Sequence, residues 1–202
     1  WMHSGLLKIN GEKMSKSLGN FAMLKDLFVS YHPEVIRYYL ISSHYRSSLN
    51  FDNDSLDQAR SALTRLYQAL SLAPSEESDL HDDSVKEFKD SMNDDLNTPE
   101  ALSILFRLAK SINNSQDTQD QSMYASTMRE LGKVLGLLND SSEAFFQYGA
   151  NLTDEEINHK IEERNQARDN KDFQKADQIR DELAAQGILL DDSSDGTSWK
   201  KS

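Results

Sequence analysis

The chain has 202 residues, no cysteine and a formal net charge of −12 at pH 7. The length suits one large domain or two small ones, and the absence of cysteine excludes disulfide bonds and thiolate metal sites. No apolar run reaches membrane-spanning length and no signal peptide is visible, so we expect a cytoplasmic protein without a membrane partner.

The charge is distributed unevenly along the chain. Residues 51–159 carry −13, whereas residues 1–50 carry +3 and residues 160–202 carry −2. A net acidic balance argues against a nucleic-acid partner, but the two ends remain able to contact a polyanion. The acidic middle segment is expected to face solvent. The five histidines are scattered without ligand spacing, so no metal site is predicted in this chain.

A short strand and a lysine loop are predicted near the N-terminus. Residues 6–9 form an apolar run that ends in Asn10-Gly11, which is typical of a strand entering a tight turn. The loop that follows reads Lys13-Met14-Ser15-Lys16-Ser17. Two ammonium groups on flexible stems can follow the negative charge that develops on a leaving pyrophosphate. Lys16 and Lys13 are therefore candidate phosphate contacts, and the alternative is a solvated basic turn.

Most of the remaining chain is predicted to be helical. Pro33 suits a first helical position, which predicts a helix from His32-Pro33-Glu34 with a buried stripe of Val35, Ile36, Tyr39 and Leu40. Amphipathic helices are also predicted at 54–72, at about 83–93, from Asn97-Thr98-Pro99-Glu100 to Ile112, and along the apolar positions Met128, Leu131, Val134, Leu135 and Leu138. Residues 113–121 are predicted to be a loop. The helices from 54 to about 140 are expected to form a bundle.

A smaller unit is predicted after a break in periodicity at 139–152. Thr153-Asp154-Glu155-Glu156 is a capping box that begins a helix running to about Asn170. A second helix begins near Phe173 and ends with Gly187 as a left-handed cap. Two short strands at 188–191 and 197–200, joined by a turn at 192–196, complete a helix–helix–hairpin unit.

Several segments resemble the cysteinyl-tRNA synthetase family of class I aminoacyl-tRNA synthetases. The segments are Trp1-Met2-His3-Ser4-Gly5, the lysine loop with Leu18-Gly19-Asn20-Phe21, Ser43-His44-Tyr45-Arg46-Ser47, Asp94-Asp95-Leu96-Asn97-Thr98-Pro99-Glu100-Ala101, Val134-Leu135-Gly136-Leu137-Leu138 and Gly196-Thr197-Ser198-Trp199. They extend over essentially the whole chain. The resemblance implies the C-terminal part of a longer ligase, whose upstream half carries the HIGH signature and the zinc that binds cysteine.

The resemblance also implies a mainly α fold with four regions. Residues 1–22 would end the catalytic domain with its KMSKS loop, and residues 23–53 would form stem-contact helices. Residues 54–150 would form a helical anticodon-binding bundle, and residues 151–202 a small α+β unit that recognises the anticodon.

The implied reaction joins cysteine to tRNA(Cys) at the expense of ATP, with Mg²⁺. The cysteine carboxylate attacks the α-phosphate, pyrophosphate leaves, and cysteine then moves to the 3′ end of the tRNA. Lys13 and Lys16 would be catalytic, and Met14, Ser15 and Ser17 would complete the ATP site. A monomer is expected, and the 202 residues alone are expected not to activate cysteine.

Two features in the middle of the chain have a structural alternative. Arg46 can meet an RNA phosphate, or it can pair with Glu34 or Asp52. Asp94-Asp95 is similar to a catalytic carboxylate pair, but adjacent residues do not share a helix face. We interpret that pair as a helix entry that caps and orients the chain.

The C-terminal unit carries the residue types that single-stranded RNA recognition uses. Arg164 and Arg168 lie one helical turn apart, Phe173 and Trp199 offer rings, and Asp177 and Asp192 offer acceptors. The resemblance implies that Arg168, Phe173, Asp177 and Asp192 lie at a GCA anticodon, with Phe173 where the family often has Trp. Trp199 can either stack on a base or fill the core of the unit.

Two other functions remain open at this point. One is the related ligase that joins cysteine to an amino sugar in thiol biosynthesis, which lacks a tRNA-reading tail; the intact 153–202 unit argues against it. The other is a non-catalytic RNA-binding module that retains the lysine signature.

Overall fold

The computed structural model describes residues 1–9, 11–14, 23–76, 78–150, 152–193 and 196–201. They divide into two compact units, Trp1–Ser142 and Glu143–Ser202. Helices dominate both, so the prediction of a mainly α fold is confirmed. Within the described ranges, no helix is both long and apolar enough to cross a lipid bilayer.

The first unit begins with a small three-stranded sheet in the order β2-β1-β3. Strand β1 (Leu7–Ile9) is the predicted one, and the turn after it leads into a second strand, β2 (Glu12–Lys13), where a loop was predicted; Gly11 adopts a left-handed φ of +84° between them. Strand β3 (Leu49–Phe51) pairs with β1 in parallel, and Asn50 Oδ1 accepts from Gly11 N at 2.7 Å. The sequence analysis missed β3, because three residues are too short for a period-2 pattern.

The helices of the first unit begin largely where the cap signals predict. They are α1 (Leu24–Leu27), α2 (Pro33–Ile41), α3 (Asn53–Leu72), α4 (Asp82–Asn93), α5 (Thr98–Asn114) and α6 (Thr118–Leu135). His32 caps α2 and Asn97 caps α5. The predicted loop at 113–121 is confirmed only at residues 115–117, since α5 continues to Asn114 and α6 begins at Thr118. Asp117 accepts from the backbone N–H groups of Gln119 and Asp120, so its carboxylate begins α6 within that polar stretch.

The core of the first unit follows the predicted stripes with two exceptions. Leu56, Leu63, Leu66, Leu105 and Met128 are fully buried. Leu40 and Val134, predicted to be buried, are 50% and 65% exposed.

A buried carboxylate ties the two ends of the bundle together. Glu34, at the start of α2, is 6% exposed and accepts four hydrogen bonds. The donors are Tyr67 Oη at 2.8 Å, Leu138 N at 2.8 Å, Asn139 N at 2.9 Å and Asn139 Nδ2 at 3.1 Å. Because a buried charge is tolerated only when it is fully hydrogen-bonded, Glu34 fixes the chain beyond α6 against α2 and α3.

The turn that follows α6 requires a glycine at position 136. Gly136 has a φ of +69°, and a Cβ there would lie 2.3 Å from Arg37 Nε. Arg37 Nε donates to Leu135 O, the last carbonyl of the helix. A side chain at position 136 would therefore displace the guanidinium that satisfies the helix end.

Arg46 makes its ion pair with Asp95, and not with either of the two partners expected from the sequence. Its Nε and Nη2 donate to Asp95 at 2.6 and 3.1 Å, and Tyr45 Oη donates to Asp95 Oδ1 at 2.7 Å. The proposed partners are excluded because Glu34 is enclosed by its own donors and Asp52 caps α3 through Ser55 N. The hydrogen bonds from Arg46, followed by that from Tyr45, lower the pKa of Asp95 to about 2.

Asp94 and Asp95 lie at the end of α4 and not at the entry of α5. Asp94 is the C-cap of α4, and Asn97 caps α5 through Glu100 N. Asp95 and Leu96 both adopt positive φ, at +52° and +55°. This left-handed pair of residues turns the chain so that the Asp95 carboxylate faces Arg46 and Tyr45, which is the orienting role expected of it.

The second unit contains α7 (Ser142–Gln147, which starts at the boundary), α8 (Asp154–Asp169), α9 (Phe173–Ala185) and the antiparallel strands β4 (Ile188–Ser193) and β5 (Gly196–Lys201). The capping box at Thr153 and the left-handed Gly187 are confirmed. The strands are longer than predicted, because Asp192 pairs with Thr197 in the ladder and does not belong to a turn. Its core consists of Ile157, Ile161, Ile179, Leu183, Ile188 and Trp199.

We predict that Glu34→Gln destabilises the first unit by about 3 kcal/mol, because an amide nitrogen would face the N–H and O–H donors that the carboxylate now accepts from. The measurement is urea unfolding followed by circular dichroism. Glu130→Gln is the control: Glu130 is half exposed and pairs with Lys133 three residues away, so its change should stay within about 0.5 kcal/mol. Equal effects of the two substitutions would contradict this role for Glu34.

We also predict that Arg46→Ala raises the pKa of Asp95 from about 2 toward its ordinary 3.8. The folded-state pKa lies below the unfolded one, so the ion pair stabilises the fold above pH 3.8 and this contribution is lost as the pH falls toward 2. A carboxyl-carbon NMR titration of Asp95 measures the shift. Arg107→Ala removes an exposed arginine paired with Glu87 and should leave the Asp95 titration unchanged.

Candidate functional site

The lysine loop lies mostly outside the described residues. Lys16, Ser15 and Ser17 fall in the undescribed stretch, so their predicted contacts with ATP remain predictions. The structure places the backbone of Lys13 in β2, and Met14 N donates to Leu7 O at 3.4 Å. Met14 is 39% exposed. The β1–β2 hairpin therefore holds the start of the loop at the edge of a sheet.

Arg46 remains accessible in spite of its ion pair. Its side chain is 63% exposed and stacks over the ring of Tyr45, with Cζ 5.2 Å from the ring centroid. The pair with Asp95 fixes the direction of the guanidinium. Contact of Arg46 with RNA stays a prediction.

A carboxylate with four donors lies at the centre of the second unit's polar site. Asp192, on β4, accepts from Arg164 Nη1 at 2.9 Å and Nη2 at 2.7 Å in a two-pronged ion pair. Thr197 Oγ1 donates to the same carboxylate at 2.7 Å, and Arg168 Nη1 donates at 3.2 Å. We call these four residues the Asp192 cluster.

The electrostatics of the Asp192 cluster follow from these bonds. Hydrogen bonds from Arg164 and then from Thr197 hold the pKa of Asp192 far below its usual range. The bonds to Asp192 raise the pKa of Arg164, and the charge of Asp177 contributes to the same shift. Asp192 is therefore ionised at every physiological pH, and its negative charge is balanced by arginine.

The two arginines of α8 occupy different environments although they lie one turn apart. The Arg164 side chain is 6% exposed, whereas the Arg168 side chain is 48% exposed. Arg164 was predicted to bind RNA, but burial and its bidentate bond to Asp192 leave it no face for a nucleotide. Arg168 keeps the exposure that its predicted contact requires.

The two candidate aromatic residues also differ. Phe173, the first residue of α9, is 62% exposed, and Asp177 lies one helical turn after it and is also exposed. Trp199 is 8% exposed and packs in the core with Ile157 and Leu183. Of the two alternatives for Trp199, the structure selects core packing, and its predicted stacking on a base is corrected.

The sequence analysis missed Thr197 as part of this site. Its hydroxyl reaches Asp192 because the two residues are directly paired across the β4–β5 ladder. The predicted strands, 188–191 and 197–200, leave Asp192 in the turn between them. Only the strand alignment reveals the contact.

Three family models match successive parts of the chain. The model "tRNA synthetases class I (C) catalytic domain" matches residues 1–61, the model "DALR domain" matches residues 87–139, and the model "Cysteinyl-tRNA ligase anticodon binding domain" matches residues 152–199. The last of these matches contains the whole Asp192 cluster together with Phe173 and Asp177.

Curated relatives named Cysteine–tRNA ligase align along the chain. They include proteins from Hydrogenovibrio crunogenus at 47% identity over 100% of this chain, Azotobacter vinelandii at 47% over 99%, and Methylococcus capsulatus at 46% over 100%. The chain spans less than half the length of these relatives, 44%, 44% and 45% respectively. A solved chain from the ternary complex of Agrobacterium radiobacter K84 agnB2 LeuRS-tRNA-LeuAMS shows 15% identity and a TM-score of 0.48, covering 93% of this chain and 30% of its own.

The three family models match in consecutive order, the sequence identity extends along the full chain, and the motifs from the lysine loop to Gly196-Thr197-Ser198-Trp199 agree with both. The chain belongs to the cysteinyl-tRNA synthetase family.

Proposed function

We propose that this chain supplies the lysine loop and the tRNA-binding part of a cysteine–tRNA ligase, with cysteine, ATP and tRNA(Cys) as substrates. The observation that carries the proposal is the exposed group of Arg168, Phe173 and Asp177, which lies in the segment that matches the anticodon-binding model. A fixed guanidinium, an exposed ring and a carboxylate are the groups that hold and read an unstacked base.

The proposed work of the C-terminal unit is recognition of the GCA anticodon. Phe173 stacks on one base, and the Arg168 guanidinium donates to a base edge or to the adjacent phosphate. Asp177 accepts from a base amino or imino group. Phe173 gives a smaller stacking surface than Trp, so this contact contributes less than in relatives with Trp at the position.

The proposed work of the lysine loop is stabilisation of departing pyrophosphate. Lys13 and Lys16 donate to the phosphates of ATP while the cysteine carboxylate attacks the α-phosphate, and Met14, Ser15 and Ser17 hold the loop. Mg²⁺ bound with ATP would neutralise further phosphate charge. Zinc has no fit here, because the chain has no cysteine and its described residues contain no group of three metal ligands.

Arg46 is proposed as a second contact with the same tRNA, at the stem. Its ion pair with Asp95 keeps the guanidinium in one orientation while most of the side chain stays exposed. A phosphate oxygen approaching it would share the donors of an already ordered side chain. A monomer in the cytoplasm completes the proposal.

The two rival functions are less well supported. A cysteine ligase for an amino sugar has no use for an anticodon reader, yet residues 152–199 match such a domain. A non-catalytic RNA-binding module does not require the match of residues 1–61 to a catalytic-domain model.

We predict that the chain binds a tRNA transcript with a GCA anticodon more tightly than one with a scrambled anticodon, and that Arg168→Ala lowers this preference about tenfold. Fluorescence anisotropy over a salt series measures both dissociation constants. Lys200→Ala is the matched control: Lys200 is exposed, and the strand register places it on the opposite face of the hairpin from Asp192. Equal binding of both transcripts by the unchanged chain would refute anticodon reading.

Phe173 gives an independent prediction. Phe173→Ala should weaken binding of the GCA transcript by about 1–2 kcal/mol, because stacking of one base is lost. Phe173→Trp should strengthen it, because the ring area increases. The reverse order, or no difference between Ala and Trp, would show that this exposed ring does not touch RNA.

For the lysine loop, we predict that Lys16→Ala or Lys13→Ala in a full-length ligase carrying this chain lowers ATP–pyrophosphate exchange about 10²-fold. Binding of the GCA transcript should be unchanged. Lys25→Ala, which removes an exposed lysine of α1, is the charge-matched control. Undiminished cysteine activation in both loop variants would refute this role.

A further inference from the structure

We propose that Arg164 is a positioning residue, which acts through Asp192 to hold the guanidinium of Arg168 in the orientation that reads the anticodon. The inference rests on the proposed function and goes beyond it, because it assigns Arg164 and Asp192 to a support beneath the RNA-contacting side chain.

Both oxygens of the Asp192 carboxylate already accept hydrogen bonds from within the unit. Oδ1 accepts from Arg164 Nη1 and Thr197 Oγ1, and Oδ2 accepts from Arg164 Nη2 and Arg168 Nη1. A carboxylate offers about four acceptor positions, and all four are used within the unit. The side chain is 39% exposed, so a base that reaches Asp192 would share or displace one of these protein donors.

Arg164 fixes the position of that carboxylate. Its side chain is 6% exposed, so it lies beneath the surface that RNA would touch. Its planar fork contacts both oxygens at once, which sets the rotation of the carboxylate as well as its place. The paired strand residue Thr197 contacts Oδ1 from the other side.

Arg168 is the residue of the Asp192 cluster whose exposed side chain is ordered by this arrangement. An exposed arginine has many rotamers, and ordering them on binding costs affinity. The bond to Asp192 Oδ2 at 3.2 Å restricts Arg168 before RNA arrives. It uses one of the five N–H donors, so the other donors remain for a base edge or a phosphate.

The experiment is a double-mutant cycle on anticodon discrimination, the ratio of dissociation constants for the scrambled and GCA transcripts. The variants are Arg164→Lys, Arg168→Ala and the two together, in the 202-residue chain. Arg164→Lys keeps the positive charge but loses the fork. We expect Arg164→Lys to lower discrimination at least about threefold. The double variant should discriminate about as well as Arg168→Ala alone, because both changes act on the same guanidinium.

A matched control separates positioning from stability. Lys160 lies one helical turn before Arg164 on α8 and pairs with Glu182 of α9 at 3.0 Å. Lys160→Met should alter the thermal midpoint and leave discrimination unchanged. Circular dichroism confirms that each variant is folded.

A second series decides the question if Arg164→Lys fails to fold. Asp192→Asn keeps the shape of the side chain but removes the charge that holds Arg168, so its effect and that of Arg168→Ala should again be non-additive. Fully additive effects would mean that Asp192 and Arg168 contact RNA independently, and would overturn the proposal.

The failures of the two proposals are distinguishable. If the unchanged chain does not prefer the GCA transcript, anticodon reading itself fails. If the unchanged chain discriminates, and folded Arg164→Lys discriminates equally well, only the positioning role of Arg164 is overturned.

Discussion

A buried charge must be surrounded by partners, and this constraint organises both units of the chain. Glu34 in the first unit and Arg164 in the second are each about 95% buried. Their hydrogen-bond partners are distant in the sequence: Glu34 accepts from residues 33 to 105 positions away, and Arg164 donates to a residue 28 positions away. Such a network contributes little net stability over an apolar core, but an incomplete one is strongly destabilising. Each network therefore selects one arrangement of helices and loops over looser alternatives.

The consequence for function differs between the units. In the first, the Glu34 network holds the segment after α6 against α2, while the Arg46–Asp95 pair lies at the surface between the end of α4 and the segment before β3. In the second, the buried Arg164 extends through Asp192 to Arg168 at the surface. The buried Arg164 thus supports the exposed guanidinium of Arg168 through Asp192. Side chains in precise functional sites are held by supporting contacts of this kind.

Local signals in the sequence predicted most of the fold. The Pro33 start, the Asn97 and Thr153 caps and the left-handed Gly187 depend on residues within one turn of each other, so they could be read directly. The parallel pairing of β3 with β1 depends on residues about 40 positions apart and left no local pattern. The loop predicted at 113–121 is shortened to residues 115–117, because the Asp117 carboxylate caps α6 within the polar stretch.

The candidate site shows the same division. Residue types indicated six candidate RNA contacts in the second unit, and the family resemblance singled out Arg168, Phe173, Asp177 and Asp192 among them. Which arginine is buried and which is exposed could not be predicted, since Arg164 and Arg168 share a face and differ only in depth. The role of Trp199 likewise depended on the hairpin register, which places it opposite Leu190 over the core.

The acidic composition is compatible with RNA recognition when the strength of RNA binding is considered apart from the discrimination between RNAs. A chain of net charge −12 gains little from the long-range attraction that lets basic proteins bind any RNA. Binding must then come from a few short-range contacts, which are sensitive to the orientation of each donor. With a weak non-specific background, a single oriented guanidinium contributes a larger share of the discrimination between anticodons. An acidic surface combined with an arginine held from beneath therefore favours selectivity over strength, which suits the proposed anticodon site.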